Sequence, residues 1–127
     1  MKDLRNSGRL VMIHFIDQVL SDMRVDAVVK QYTLMVLVEV CAVAPRMEPP
    51  TVVHGDDGRV ILTWRSDIEY MTLDVFIDGH VDIFHEDSYQ NVYTDTTSGR
   101  LTETMLQTVT VMAASIRTCA FLSEPMT

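Results

Sequence analysis

His80, Asp82 and Asp74 are the side chains with the most chemistry within reach of one another. His80 and Asp82 stand two apart in an alternating stretch, which puts both on one face of a strand. A hairpin register derived below sets Asp74 directly across from Asp82. Two carboxylates and an imidazole on one face can converge on a cation, the donor set of a metal-dependent enzyme. The chain has no His-x-x-x-His, no Cys-x-x-Cys and no evident fourth ligand to complete such a site. The same face has a second reading. Tyr70, Asp74, Phe76, Asp78, His80, Asp82, Phe84 and Glu86 together make an acidic strip with aromatic anchors, a composition suited to docking a protein. Nucleophilic catalysis has little to stand on. There is no Gly-x-Ser-x-Gly elbow, Ser66, Ser88 and Ser98 lie in turn-like surroundings, and the five glycines are scattered rather than gathered into a phosphate loop. His14 falls among apolar neighbours and reads as a partly buried structural residue; the nine methionines could mark an adaptable binding surface, but most lie at core-facing helical positions and read as gap filling. No catalytic, cofactor-binding or metal-binding residue is assigned.

The elements that hold this face follow from periodicity. Leu10, Ile13, Ile16, Leu20 and Met23 recur at helical spacing within 4–23 and predict an amphipathic helix. The segment 26–44 opens on Asp26, a capping residue, and stops before Pro45. Its second half, 34–43, is apolar nearly all round, which predicts a helix covered on more than one side, by the rest of the chain or by a second copy. A strand is the competing expectation for so β-branched a run. Residues 45–50, with Pro45, Pro49 and Pro50, form a stiff connector between this helical part, 1–44, and an acidic β-meander over 51–97. In the meander Val60, Leu62 and Trp64 alternate with Ile61, Thr63 and Arg65, and two further alternating runs follow at 70–78 and 80–86, with Asp57-Gly58 and Asp78-Gly79 as turns. A two-residue turn at Asp78-Gly79 would mix buried and polar residues. A three-residue loop over 77–79 with the glycine in a bulge pairs Val75 with Val81 and Leu73 with Ile83, and places Asp74 opposite Asp82. Helical spacing of Leu101, Met105, Val109, Met112 and Ile116 predicts a last helix over 101–118.

The expected architecture is a single α+β domain: two N-terminal helices and one C-terminal helix packed on one face of an antiparallel meander of three to five strands. The predicted core is Val60, Leu62, Trp64, Leu73, Val75, Val81 and Ile83 against Leu34, Leu37, Val38, Cys41, Met105, Val109 and Met112.

Charge is confined to the middle of the chain. The net charge of −8 arises within 56–103, where Arg59, Arg65 and Arg100 stand against eleven acids. A surface of that sign disfavours direct contact with nucleic-acid phosphates or anionic membranes and favours a basic protein surface as partner. Cys41 and Cys119 each sit in apolar sequence and read as buried hydrophobes, with a disulfide as the minority reading; with the absence of an export signal or a membrane-length apolar run this points to the cytoplasm.

Pro50-Thr51-Val52, Asp57-Gly58, Val60-x-Leu62-x-Trp64 and Asp78-Gly79 together resemble a pattern in small uncharacterised bacterial and phage α+β proteins, over roughly a third of the chain. Val25-Asp26 replaces the Gly-Trp-Asp-Gly that those proteins often carry before the helix. The resemblance implies the fold and a phage or mobile-element setting, with no activity attached. The function expected is therefore non-enzymatic: an antagonist of the anti-CRISPR type whose acidic sheet face occupies a basic, nucleic-acid-binding surface of a host protein, with no cofactor. Two alternatives are a dimeric acidic chaperone of a secreted effector and a metal-dependent enzyme using His80, Asp74 and Asp82. A homodimer through the N-terminal helices is also expected, to cover the apolar 34–43 segment.

Overall fold

The computed structural model describes the backbone of residues 4–123 and the side chains of residues 11–116. Two helices, α1 (Leu4–Asp22) and α2 (Ala27–Val43), precede strands β1 (Thr51–His54), β2 (Val60–Arg65), β3 (Tyr70–Val75), β4 (His80–Glu86) and β5 (Val92–Ser98), and α3 (Glu103–Ser123) follows. The strands lie side by side in chain order, each antiparallel to the next. This is the expected α+β arrangement of meander and flanking helices.

The helices begin and end where local chemistry dictates. The Asp26 carboxylate accepts the Val28 N–H (2.9 Å) and caps α2. Pro45 stops that helix, and the Ala44 N–H closes it on the Val40 carbonyl. The whole of 27–43 is helical despite its valines, because burial outweighs propensity. The last helix starts two residues later than predicted and runs on to Ser123. Thr102 caps it, its hydroxyl accepting the Met105 N–H (3.1 Å), which leaves Leu101 outside the helix as a buried residue of the approach. Glu39, the one charge in the most apolar window, ties α2 to the end of the sheet by accepting the Leu101 N–H (3.1 Å) and lying 3.5 Å from Arg100 Nε.

The inner sheet face contributes Val60, Leu62, Trp64, Met71, Leu73, Val75, Val81 and Ile83 to the core. Val29, Val36, Leu37, Val40 and Cys41 of α2 and Met105, Val109 and Met112 of α3 pack with them. The α1 helix adds Met12, Ile16 and Leu20, with the Met12 thioether 3.7 Å from the Cys41 thiol. Three expectations are corrected. Val38 is exposed, because Leu37 and Cys41 define the buried side of α2 and Val38 lies one residue round from them. Met23 lies beyond the end of α1 and is exposed, and His14 points to solvent on the side of α1 away from Met12 and Ile16. Leu10 and Cys119 lie outside the described side chains.

The strand register rests on one turn design used three times. Phe76 N–H donates to the His80 carbonyl (3.0 Å) and Gly79 N–H to the Phe76 carbonyl (2.9 Å), with Gly79 at φ 92°. This is a type I turn closed by a glycine bulge, and it sets Val75 against Val81 and Asp74 against Asp82. The 55–59 turn repeats the pattern with Gly58, and the 87–91 turn repeats it with Gln90 at φ 66° in the glycine position. In each, an aspartate side chain accepts a backbone N–H: Asp57 from Arg59, Asp78 from His80, and Asp87 from Tyr89 and Asn91. A left-handed residue other than glycine costs about 1–2 kcal/mol. Gln90→Gly should therefore raise stability by about 1 kcal/mol. Gly79→Ala should lower it by more than that, since the added Cβ also meets the Tyr32 ring at 3.3 Å. Paired chemical denaturation curves check both.

Trp64 anchors the connector. It is 2 % exposed, and its indole N–H donates to the Glu48 carbonyl at 2.8 Å, fixing the proline-rich segment across the sheet end. Trp64→Ala should cost about 3–5 kcal/mol, whereas Trp64→Phe keeps most of the packing and should lose about 1 kcal/mol more than the packing difference alone, the net worth of the hydrogen bond. Thermal melts of the two variants separate these contributions.

Candidate functional site

The outer face of the sheet is built in cross-strand rows. Arg65, Tyr70, Glu86 and Val92 stand in one row, Thr63, Thr72, Phe84 and Thr94 in the next, and Ile61, Asp74, Asp82 and Thr96 in a third. Apart from buried Thr72, these side chains are half-buried or exposed. All eight residues singled out in the sequence lie on this face or in the turn at its end, and the Asp74–Asp82 pairing is as derived.

Like charges directly opposed on a sheet destabilise it. The compensation comes from within the chain. Arg59 reaches from the 55–59 turn to donate from Nη1 to Asp74 Oδ2 at 3.2 Å, and its guanidinium lies 5.3 Å from the centre of the Phe76 ring. Phe76 in turn stacks on the His80 imidazole, ring centres 4.0 Å apart and planes within 10°. At the other end Arg65 covers Tyr70 at 5.0 Å, and Tyr70 meets Phe84 edge-on at 5.9 Å. Phe76 and Tyr70 are thus each partly covered by an arginine of the same chain. Between the two clusters, Thr72, Asp74, Asp82, Phe84, Thr94 and Thr96 line a depression of about 510 Å³.

His80 does not gather the acids around a cation. Its Nδ1 is hydrogen-bonded to Asp78, while Nε2 lies 3.8 Å from Asp82 Oδ1, and Asp74 is occupied by Arg59. Among the described residues no group of three His, Cys, Asp or Glu side chains converges in a geometry suited to a metal ion. The donor set of the metal-enzyme alternative is thus dispersed into separate pairs.

One polar cluster went unnoticed in the sequence. His85 Nε2 lies 2.8 Å from Glu69 Oε2, with the two side chains only 10 % and 11 % exposed. Beside them Ser66 Oγ accepts the Ile68 and Glu69 N–H groups and meets Ser115 Oγ at 3.0 Å, linking the β2–β3 turn to α3. The signal was available: His85 is the one polar residue on the inner side of β4, and a buried imidazole requires a partner. The imidazoles of His80 and His85 are each hydrogen-bonded to a carboxylate, Asp78 in the turn before β4 and Glu69 in the β2–β3 turn, and so tie those turns to β4.

Comparison with known protein families, with characterised proteins and with solved structures finds no match to this chain. Among the described residues no helix is long and apolar enough to cross a membrane.

The acids of this region respond to pH in opposite senses. Burial pushes the Asp74 carboxyl above the ordinary aspartate value; Arg59 opposes the shift, and Asp82 and Asp57 add to it. A raised carboxyl favours the folded state when protonated, so its contribution is present in acid and is lost as pH rises through the raised value. Asp78 and Asp87 are held below the ordinary value, chiefly by the backbone N–H groups of His80 and Asn91, and their contribution is lost instead as pH falls. Arg59→Gln should raise the Asp74 value further and Asp82→Asn should lower it. Titration of the Asp74 carboxyl carbon by NMR reads both shifts.

Proposed function

We propose that the protein is a non-enzymatic binding module that presents the open face of its sheet to a basic surface of another protein. The observation that supports this best is the unequal Asp74–Asp82 row. Asp74 has Arg59, whereas among the described residues Asp82 has only the His80 ring at 3.8 Å, at the edge of a depression with room for a side chain. A lysine or arginine from a partner supplies the missing cation there. The threonines offer hydroxyls beside it and Phe84 an apolar wall. Arg59 and Arg65 flank the central acid pair, which favours a partner with a discrete basic ridge.

Nucleic-acid-binding surfaces are basic ridges of this kind, and an acidic face that occupies one blocks the phosphate backbone from it. In this reading the protein is a cytoplasmic antagonist, and its resemblance to phage and mobile-element proteins makes an anti-CRISPR-type role the concrete form.

Asp82→Asn removes the repulsion and leaves the Arg59–Asp74 bond in place. It should leave stability unchanged or raise it by about 0.2–0.5 kcal/mol, the scale of cross-strand charge effects. Partner capture from the native cell at low and high salt, followed by titration of the captured protein, should show weaker binding by the variant and a shallower salt dependence. Capture that is insensitive both to salt and to Asp82→Asn would exclude the acidic face and shift the account to an apolar groove, as in the chaperone alternative.

A further inference from the structure

The second helix has two finished faces, of which the fold uses one. Val29, Thr33, Val36, Leu37, Val40 and Cys41 are buried. On the opposite side Val28 (49 % exposed), Gln31, Met35 (57 %), Val38 (42 %) and Ala42 face solvent, at spacings of three and four residues. That is the spacing of a seam between two helices. In a helix of 17 residues it runs the full length, about 25 Å at the standard rise.

The chemistry of the stripe indicates what covers it. A chain of net charge −8 repels its own copies through its sheet, yet this stripe carries no charge at all. Its one polar member is Gln31. If two copies of α2 cross antiparallel about a two-fold axis at Met35, Val28 faces Ala42, large against small, and Gln31 faces Glu39 of the partner copy. The Glu39 carboxylate borders the stripe, already accepts the Leu101 N–H, and has lone pairs to spare for an amide donor. A parallel pairing would instead bring the two Glu39 carboxylates to the same level and set the helix dipoles side by side in the same direction. Next to the stripe, a groove of about 600 Å³ between α2 and the turn at Gly79, with Tyr32, Met35, Val38 and Val81 among its walls, extends the apolar surface toward the roughly 800 Å² per partner that a stable interface buries.

We propose that α2 is a self-association surface, on which a second copy of the chain packs antiparallel about a two-fold axis through Met35. The assembly is isologous and closed, so it stops at the dimer. It is centred on α2 and reaches the sheet only at the groove beside the Gly79 turn.

Sedimentation and cysteine cross-linking test it together. The wild-type protein should sediment as a dimer at about 50 µM, well above the dissociation constants of specific dimers. Met35→Glu sets two carboxylates against each other on the axis and should weaken the dimer by at least about tenfold, while Met35→Leu should retain it. In a Cys119→Ser background, with Cys41 buried, Met35→Cys should cross-link to itself. Val28→Cys should cross-link only when mixed with Ala42→Cys. A wild-type monomer at that concentration, or a Met35→Glu variant that dimerises like wild type, overturns the surface. Self-cross-linking of Val28→Cys overturns the antiparallel arrangement, and the cross-linking pattern decides the matter even where Met35→Glu fails to fold.

Discussion

The hydrogen-bonded turn from Phe76 to His80 is the constraint on which the rest of the molecule depends. A sheet residue faces the core or the solvent according to parity alone, and a slip of one residue exchanges the two sets. With Gly79 in the left-handed region, Val75 and Leu73 align with Val81 and Ile83 under the helices, and Asp74 aligns with Asp82 outside. Both layers inherit that choice. The core has its central strands, and the outer face has its acid pair, from the same two backbone hydrogen bonds.

Seen from that turn, the outer face is a balance of charges and flat rings. Arg59 and Arg65 come from a turn and a strand end, and each serves an aromatic ring before it serves any partner. Cation–ring contacts at exposed sites contribute only about 0.5–1 kcal/mol each, so their effect is chiefly on shape and sign. The two arginines flank the central acid pair, and the half-buried position of Asp74 makes its charge costly to hold without a counter-charge.

Much of this was legible in the sequence because the information is local. Period-two alternation and Asp-Gly pairs mark strands and turns within a few residues, and Asp26 and Pro45 bracket α2 with no reference to the rest of the chain. The third bulged turn was hidden because Gln90 occupies the left-handed position and no glycine marks it. Arg59 was counted as part of a charge total, and its reach to Asp74 depends on the neighbouring strand, fifteen residues away in sequence. His85 and Glu69 were separated in the same way. Val38 was placed inside because Glu39, the one polar residue in the apolar run around it, is itself only partly exposed and does not mark the outer side; the exposure of Val38 is set by how α2 rotates onto the sheet. Location on an element, and pairing across a turn marked by Asp-Gly, could be read from pattern, while side-chain partnerships made across no such turn could not.

The order of the sheet also bears on how the chain reaches this state. Each strand pairs only with its neighbours in sequence, so every ladder closes across a single short turn and little loop entropy is spent on any one pairing. The slow, non-local step is docking of the helices. Helix α2 is synthesised before any strand that covers its buried side, and α3, which completes the core with Met105, Val109 and Met112, comes last. Until that final helix leaves the ribosome, the apolar side of α2 and the inner face of a nascent meander have only each other. Productive folding therefore depends on the hairpins zipping faster than two unfinished chains can meet.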